Sequence, residues 1–274
     1  MRTKTLICAA AIAAASAVST MAQSNVYSLN IVGYANVTVG GGNSIYANPF
    51  DLDGVNNADK ILNHAPVSDA GGQPGMDQFY VNTWNGHGFN SVYFEQDFSA
   101  NNTGGAVTNG WATDGGGGAQ GVPPNLPPGV GFFINNGGPI VTNTFVGNVV
   151  PAPGTTNNYT VTGGNQLIAS RLPVAGQINS AAFQLPLAPL SDAGGNPGLD
   201  QFYVNTWNGH GFNSVYYEQD FTSNNTGGAV TNGWATDGGG GSQGIPPTIA
   251  IGQGFFINNG GPVTVWGQTL TNSP

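Results

Sequence analysis

From Phe79 the chain alternates, with Phe79, Val81 and Thr83 on one side and Tyr80, Asn82 and Trp84 on the other. A period of two is that of a strand with one buried face. Asn85-Gly86-His87-Gly88 follows, residues that tolerate positive φ, and Phe89 to Phe94 runs back, so Asp77 to Glu95 predicts a β-hairpin. The same segment returns almost letter for letter from Asp200 to Glu218. Elsewhere, Tyr27 to Val32, Ala35 to Val39 and Ser44 to Ala47 are short runs of β-branched and aromatic residues divided by glycine. Phe132 to Ile134 reads as a buried strand, and Ile140 to Val146 alternates as its partner would. A short helix is expected over Asn57 to Asn63, capped by Asn56 or Asn57. Ser99 to Gly121, rich in glycine, predicts a long surface loop with at most one strand near Trp111.

The two copies match closely and without a gap from Pro66 to Pro139 and from Pro189 to Pro262, and the likeness fades outside that block. One long block has been duplicated, and its identity by itself carries no functional weight. The fold class that follows is all-β, with two tandem β-sandwich-like domains. Residues 1–22 are expected to be a signal peptide, 23–150 the first domain, 151–158 a linker and 159–274 the second domain.

Charge and composition set the address and the partners. Arg2 and Lys4 precede a small apolar run, Leu6 to Val18, and Thr20-Met21-Ala22 offers small residues where a signal peptidase reads. That run is too short to span a membrane, and Trp266 to Pro274 shows no hydrophobic anchor. Cys8 is the only cysteine and lies in this leader, so disulfides, thiolate metal sites and cysteine nucleophiles are not expected in the exported chain. After cleavage only Lys60 and Arg171 remain basic. A nucleic-acid binder neutralises on the order of 6–10 phosphates, which two cations cannot do. Nucleic acid and anionic membrane surfaces are therefore not expected as partners, membrane insertion is not expected because no apolar run is long enough, and a secreted or cell-surface location is expected.

The order Val32-Gly33-Tyr34-Ala-Asn-Val-Thr-Val, Ile45-Tyr-Ala-Asn-Pro-Phe50, a Trp-Asn-Gly-x-Gly-Phe hairpin, and Pro127-Pro-Gly-Val-Gly-Phe-Phe-Ile134 resembles exported β-repeat proteins of Verrucomicrobia and their relatives. It is similar, more loosely, to β-domains of secreted Bacteroidetes proteins that pair a LIGNP-like strand with a terminal GQGFF strand. The second copy keeps Gln166-Leu-Ile-Ala169 and Gly252-Gln-Gly-Phe-Phe-Ile257 but has Ser170-Arg171 in place of Asn-Pro. The resemblance implies an extracellular β-sandwich-like module and brings no catalytic residue.

Candidate chemistry is sparse. Asp51, Asp53 and Asp59 surround Gly54 as oxygen ligands do in calcium loops, although the spacing is not that of an EF-hand and the second repeat lacks the cluster. The weightier reading is an acidic turn with Asp59 in the first turn of the short helix, where a negative charge is favoured. Glu95 with Asp97, and Glu218 with Asp220, share a strand face at a spacing near that of glycosidase carboxyl pairs. No Gly-x-Ser-x-Gly elbow occurs. His64, His87 and His210 lack the neighbours a zinc site needs. The aromatics are more suggestive: Tyr80, Trp84 and Trp111, repeated as Tyr203, Trp207 and Trp234, are candidate platforms on which sugar rings would stack, amid many amide side chains. Alternation makes Tyr80 and Trp84 the more exposed choice.

The leading expectation is a non-catalytic structural or adhesive protein acting through surface contacts and self-association. A carbohydrate-binding module for extracellular polysaccharide is the alternative, and a glycoside-active enzyme the third. No cofactor is expected apart from the calcium reading.

Overall fold

Two nearly identical hairpins form where the alternation places them. The computed structural model describes residues 31–63, 79–95, 110–113, 121–150, 154–186, 202–218, 233–235 and 244–270. The expected leader, His64, Asp97, Asp220 and most of the glycine-rich passage lie outside these residues. Strands β3 (Phe79–Trp84) and β4 (Phe89–Glu95) pair from Phe79 opposite Phe94 to Trp84 opposite Phe89. The Asn85 side-chain oxygen closes the turn, accepting from His87 N and Gly88 N at 3.0 and 2.8 Å. Gly86 there takes φ +98, which a side chain would resist. β11 (Phe202–Trp207) and β12 (Phe212–Glu218) repeat the pairing, with Asn208 in the same role.

Each hairpin is the middle of a five-stranded antiparallel sheet. In the first repeat the order runs β2 (Gly42–Ala47), β6 (Gly131–Asn136), β3, β4, β5 (Gly110–Ala112). In the second it runs β9 (Gly164–Ile168), β15 (Phe255–Asn259), β11, β12, β13 (Gly233–Ala235). Over each sheet lies a two-stranded ribbon: β1 (Val32–Val39) with β7 (Val141–Asn148), and β8 (Thr156–Val161) with β16 (Thr264–Thr269). A short pair, β10 (Gly176–Gln177) with β14 (Thr248–Ile249), completes the second repeat.

Sheet and ribbon enclose a core, as in a β-sandwich. Phe79, Val81, Phe132 and Ile134 from the sheet meet Val39 and Phe145 from the ribbon in the first repeat. Phe202, Val204, Phe255 and Ile257 meet Val161 and Trp266 in the second. The fold is all-β and sandwich-like; among the described residues the one helix, α1 (Ala58–Ile61), is shorter than the expected Asn57 to Asn63. Asn57 is its cap, accepting from Lys60 N at 3.1 Å. Asn56 instead is buried in the preceding turn.

Two expectations change. The strand after Phe132 to Ile134 does not pair with it: Asn136, donating to Pro139 O at 2.8 Å and accepting from Gly138 N at 3.1 Å, turns the chain, and β7 crosses to β1. Of the expected linker, 151–153 lies outside the described residues, and from Thr156 onward it is strand β8. Among the described residues no helix is long and apolar enough to cross a membrane.

Candidate functional site

Phe132 and Ile134 face the core of their own repeat, and Phe133 between them faces the other way. An uninterrupted apolar run means that both faces of the strand are covered. What covers the outer face is the other repeat. Ile45 and Phe133 from the first sheet and Leu167 and Phe256 from the second form a third buried cluster, with Trp84 and Trp207 packed against it. Rings meet edge to face across this seam: Trp84 on Phe256 at 5.4 Å and 88°, Trp207 on Phe133 at 5.6 Å and 82°. That arrangement sets the positive edge of one ring against the negative face of another.

The polar contacts of the seam are reciprocal. The Trp84 indole N–H donates to Asn165 O at 3.0 Å, and the Trp207 indole N–H donates to Asn43 O at 2.7 Å. Ala47 N donates to Gly252 O at 2.8 Å, and Ala169 N to Gly129 O at 3.0 Å. Each repeat thus gives the other the same two hydrogen bonds, as subunits do around a twofold axis. Gly129 and Gly252, at φ +91 and +78, are needed for the approach. A Cβ on Gly252 would stand 2.7 Å from Val37 Cγ2, and one on Gly129 2.6 Å from Arg171 Cγ.

Beside each tryptophan is an open cleft. The one at Trp207, about 440 Å³, is lined by Val37, Ser44, Ile45, Gly252 and Gln253. Its counterpart at Trp84, about 620 Å³, is lined by His87, Val130, Tyr159, Asn165 and Gln166. Among the described residues neither lining contains a carboxylate, a lysine or an arginine.

The sequence candidates are placed as follows. Trp84 and Trp207 are half-buried and tied into the seam. Trp111 and Trp234, at 6% and 7% exposure, are core residues with no open face for a ligand, which corrects their reading as platforms. Trp111 packs on Phe94 at 5.3 Å and donates to Asp59 Oδ1 at 3.3 Å; Trp234 packs on Tyr217 at 5.3 Å. Tyr80 lies 5.0 Å from Tyr93 and Tyr203 5.2 Å from Tyr216. Burial first, and then the neighbouring phenol, hold the pKa of Tyr80 and of Tyr203 above the ordinary tyrosine value.

Asp51, Asp53 and Asp59 do not converge, and no group of three acidic, histidine or cysteine side chains among the described residues is placed to hold a metal ion. Their oxygens serve donors of the protein instead. Asp51 accepts from Asn56 Nδ2 at 2.5 Å and from Gly54 N at 3.1 Å, and Asp53 accepts from Asn148 Nδ2 at 2.7 Å. Asp59 is shared by Trp111 and Lys60. Glu95 and Glu218 end their strands, and their proposed partners Asp97 and Asp220 lie outside the described residues. His87 and His210 sit exposed at the hairpin turns.

Sequence reasoning missed the seam residues Asn43, Gly129, Asn165 and Gly252. The signal was present in Phe-Phe-Ile, whose middle residue needs a partner that its own repeat does not supply. Comparison with family models, curated proteins and solved structures finds no match to this chain.

Proposed function

We propose that the protein is a non-catalytic, extracellular or cell-surface structural or adhesive β-repeat protein that works through surface contacts. The observation that carries this reading is the reciprocal seam. The duplicated tryptophans, the best candidates for a ligand platform, use their indole N–H groups to hold one repeat to the other. Among the described residues, the ribbon turns Asn36, Thr38, Thr142 and Thr144 outward, amide and hydroxyl side chains without charge. Fractionating native cells and imaging the protein in place tests this. It is expected outside the cell or on its envelope; an intracellular pool would overturn the reading.

A second reading, binding of a neutral polysaccharide, is supported by the paired clefts beside Trp84 and Trp207. Uncharged linings with amides and an indole suit a hydroxyl-rich ligand more than an ionic one. Titration with laminarin, xylan and mannan, followed by tryptophan fluorescence, decides it. Saturable binding abolished by Gln166→Ala together with Gln253→Ala, one in each cleft, supports the clefts, and no response to any of the three removes them.

A further inference from the structure

The two ribbons hold equivalent places in the two repeats but present different surfaces. On the first, Tyr34 stands opposite Val146, and these are 76% and 51% exposed. Val32, 66% exposed, and Ile31 continue the patch at the same end. At the corresponding place on the second ribbon Thr156 stands opposite Thr269, their hydroxyls 2.7 Å apart. At this end one ribbon is apolar outward and the other polar.

Their edges differ as well. β7 is flanked on its free side: Asp51 and Asn148 exchange backbone hydrogen bonds at 2.9 and 2.8 Å, and Asn63 Nδ2 reaches Thr142 O at 3.4 Å. Beyond its pairing with β7, the described residues give β1 two hydrogen bonds, both near its Val39 end: the Tyr46 hydroxyl donates to Thr38 O at 3.2 Å and Asn136 Nδ2 to Val39 O at 3.4 Å, and Val37 lies against Gly252 of the second repeat, so the stretch from Val32 to Asn36 is the uncovered part of the edge. On β8 the Arg171 guanidinium bonds the Asn157 side chain and, at 3.1 Å, Asn158 O, and it lies over the Tyr159 ring at 5.2 Å. The first repeat has Pro49 where the second has Arg171, so β1 gains no such cover. β1 also carries none of the devices that keep strand edges apart: its eight residues include no charge and no proline, and its register with β7 is unbroken.

We propose that β1 pairs antiparallel with β1 of a second copy of this chain, joining two first-repeat ribbons into one four-stranded sheet. The partner follows from charge and symmetry. Each copy carries a formal net charge of −9, so like copies meet at least cost where neither has charge, and neither β1 nor β7 has any. A strand paired antiparallel with itself is an isologous contact, self-complementary about a twofold axis. Registers that keep Gly33, Ala35 and Val37 over the core also keep Val32 and Tyr34 of both copies on the outer face. There they and Val146 cover one another. Because the second ribbon is polar at the corresponding end, where Thr156 faces Thr269, and its β8 is covered by Arg171, assembly closes at the dimer and does not propagate. The inference rests on the surface-contact reading above and names its partner.

The test uses the full chain with Cys8→Ser, which leaves no other cysteine. Light scattering over a concentration series is expected to show the mass double. Tyr34→Cys, Asn36→Cys and Thr38→Cys sample successive outward positions of β1; at least one should give a covalent dimer with a short bis-maleimide, and Asn158→Cys in β8 should not. Tyr34→Lys should weaken the dimer about tenfold or more without moving the melting temperature, and Thr156→Lys should leave it intact. A protein monomeric at every concentration, or a dimer indifferent to Tyr34→Lys and cross-linked through β8, overturns the proposal. Monomers found on the cell envelope would remove the dimer and leave the surface-contact function standing.

Discussion

The two five-stranded sheets are near copies of each other, and the two ribbons above them are not. In the sheets Trp84 and Trp207, Phe133 and Phe256, and Gly129 and Gly252 make the same contacts twice. In the ribbons the same structural task is done with the residues exchanged. β7 carries Asn143 and then Phe145 into the first core, and β16 carries Trp266 and then Gln268 into the second. Asn143 accepts from Asn63 N at 2.5 Å and donates to Ile61 O at 3.1 Å. Gln268 accepts from Arg171 N at 2.7 Å and donates to Ser170 Oγ at 2.9 Å. Each ribbon therefore buries one aromatic and one amide, and the amide ties the ribbon to the chain crossing beside it. Chemistry of a given kind and volume is what the site demands, and the order is free. The seam has no such freedom, because its hydrogen bonds are made to main-chain atoms of the partner repeat.

The largest expected effect separates seam from surface. Phe133→Ala and Phe256→Ala remove rings buried between the sheets, and each should cost about 3–5 kcal/mol in denaturant unfolding. Equal losses would support the twofold relation; a loss at one site alone would break it. Next, Asn143→Ala and Gln268→Ala each strand buried donors and acceptors, at a cost of about 1–3 kcal/mol. If either were neutral, the exchanged-residue account of the ribbons would fail. Trp84→Phe and Trp207→Phe keep most of the ring and delete the N–H, so about 1 kcal/mol is expected at each. The smallest effect is on pH dependence. Tyr80 and Tyr203 have pKa values raised in the fold, by burial first, so their contribution is intact below the unfolded tyrosine value near 10 and declines as pH rises past it. Tyr80→Phe should flatten the stability profile in that alkaline window, and an unchanged profile would contradict the assignment.

Much of the fold was legible because it rests on local chemistry. The hairpin turn needs glycine at Gly86, and the alternation in Phe79 to Trp84 names its inward face without reference to anything distant. The pairing of β7 with β1 was not legible, because Asn136 sends the chain to the ribbon through bonds to Gly138 and Pro139 that no hydrophobic pattern records. The seam at the tryptophans was hidden for a related reason. Alternation shows that Trp84 leaves its own core, and it is silent on whether water or a second sheet waits on that side. Trp111 and Trp234 were offered as platforms from residue type alone, and their strands of three residues give too little alternation to reveal an inward face. The acidic turn looked like a metal loop because Asn48 and Asn56, the amides that organise it, carry no charge to draw attention.

The central claim is that the reciprocal seam makes one body of the two repeats, and differential scanning calorimetry tests it most directly. A single endotherm with calorimetric and van't Hoff enthalpies in agreement is predicted, shifted as a whole to lower temperature by Phe256→Ala. Two separable endotherms, with only the second-repeat transition moved by that substitution, would contradict it.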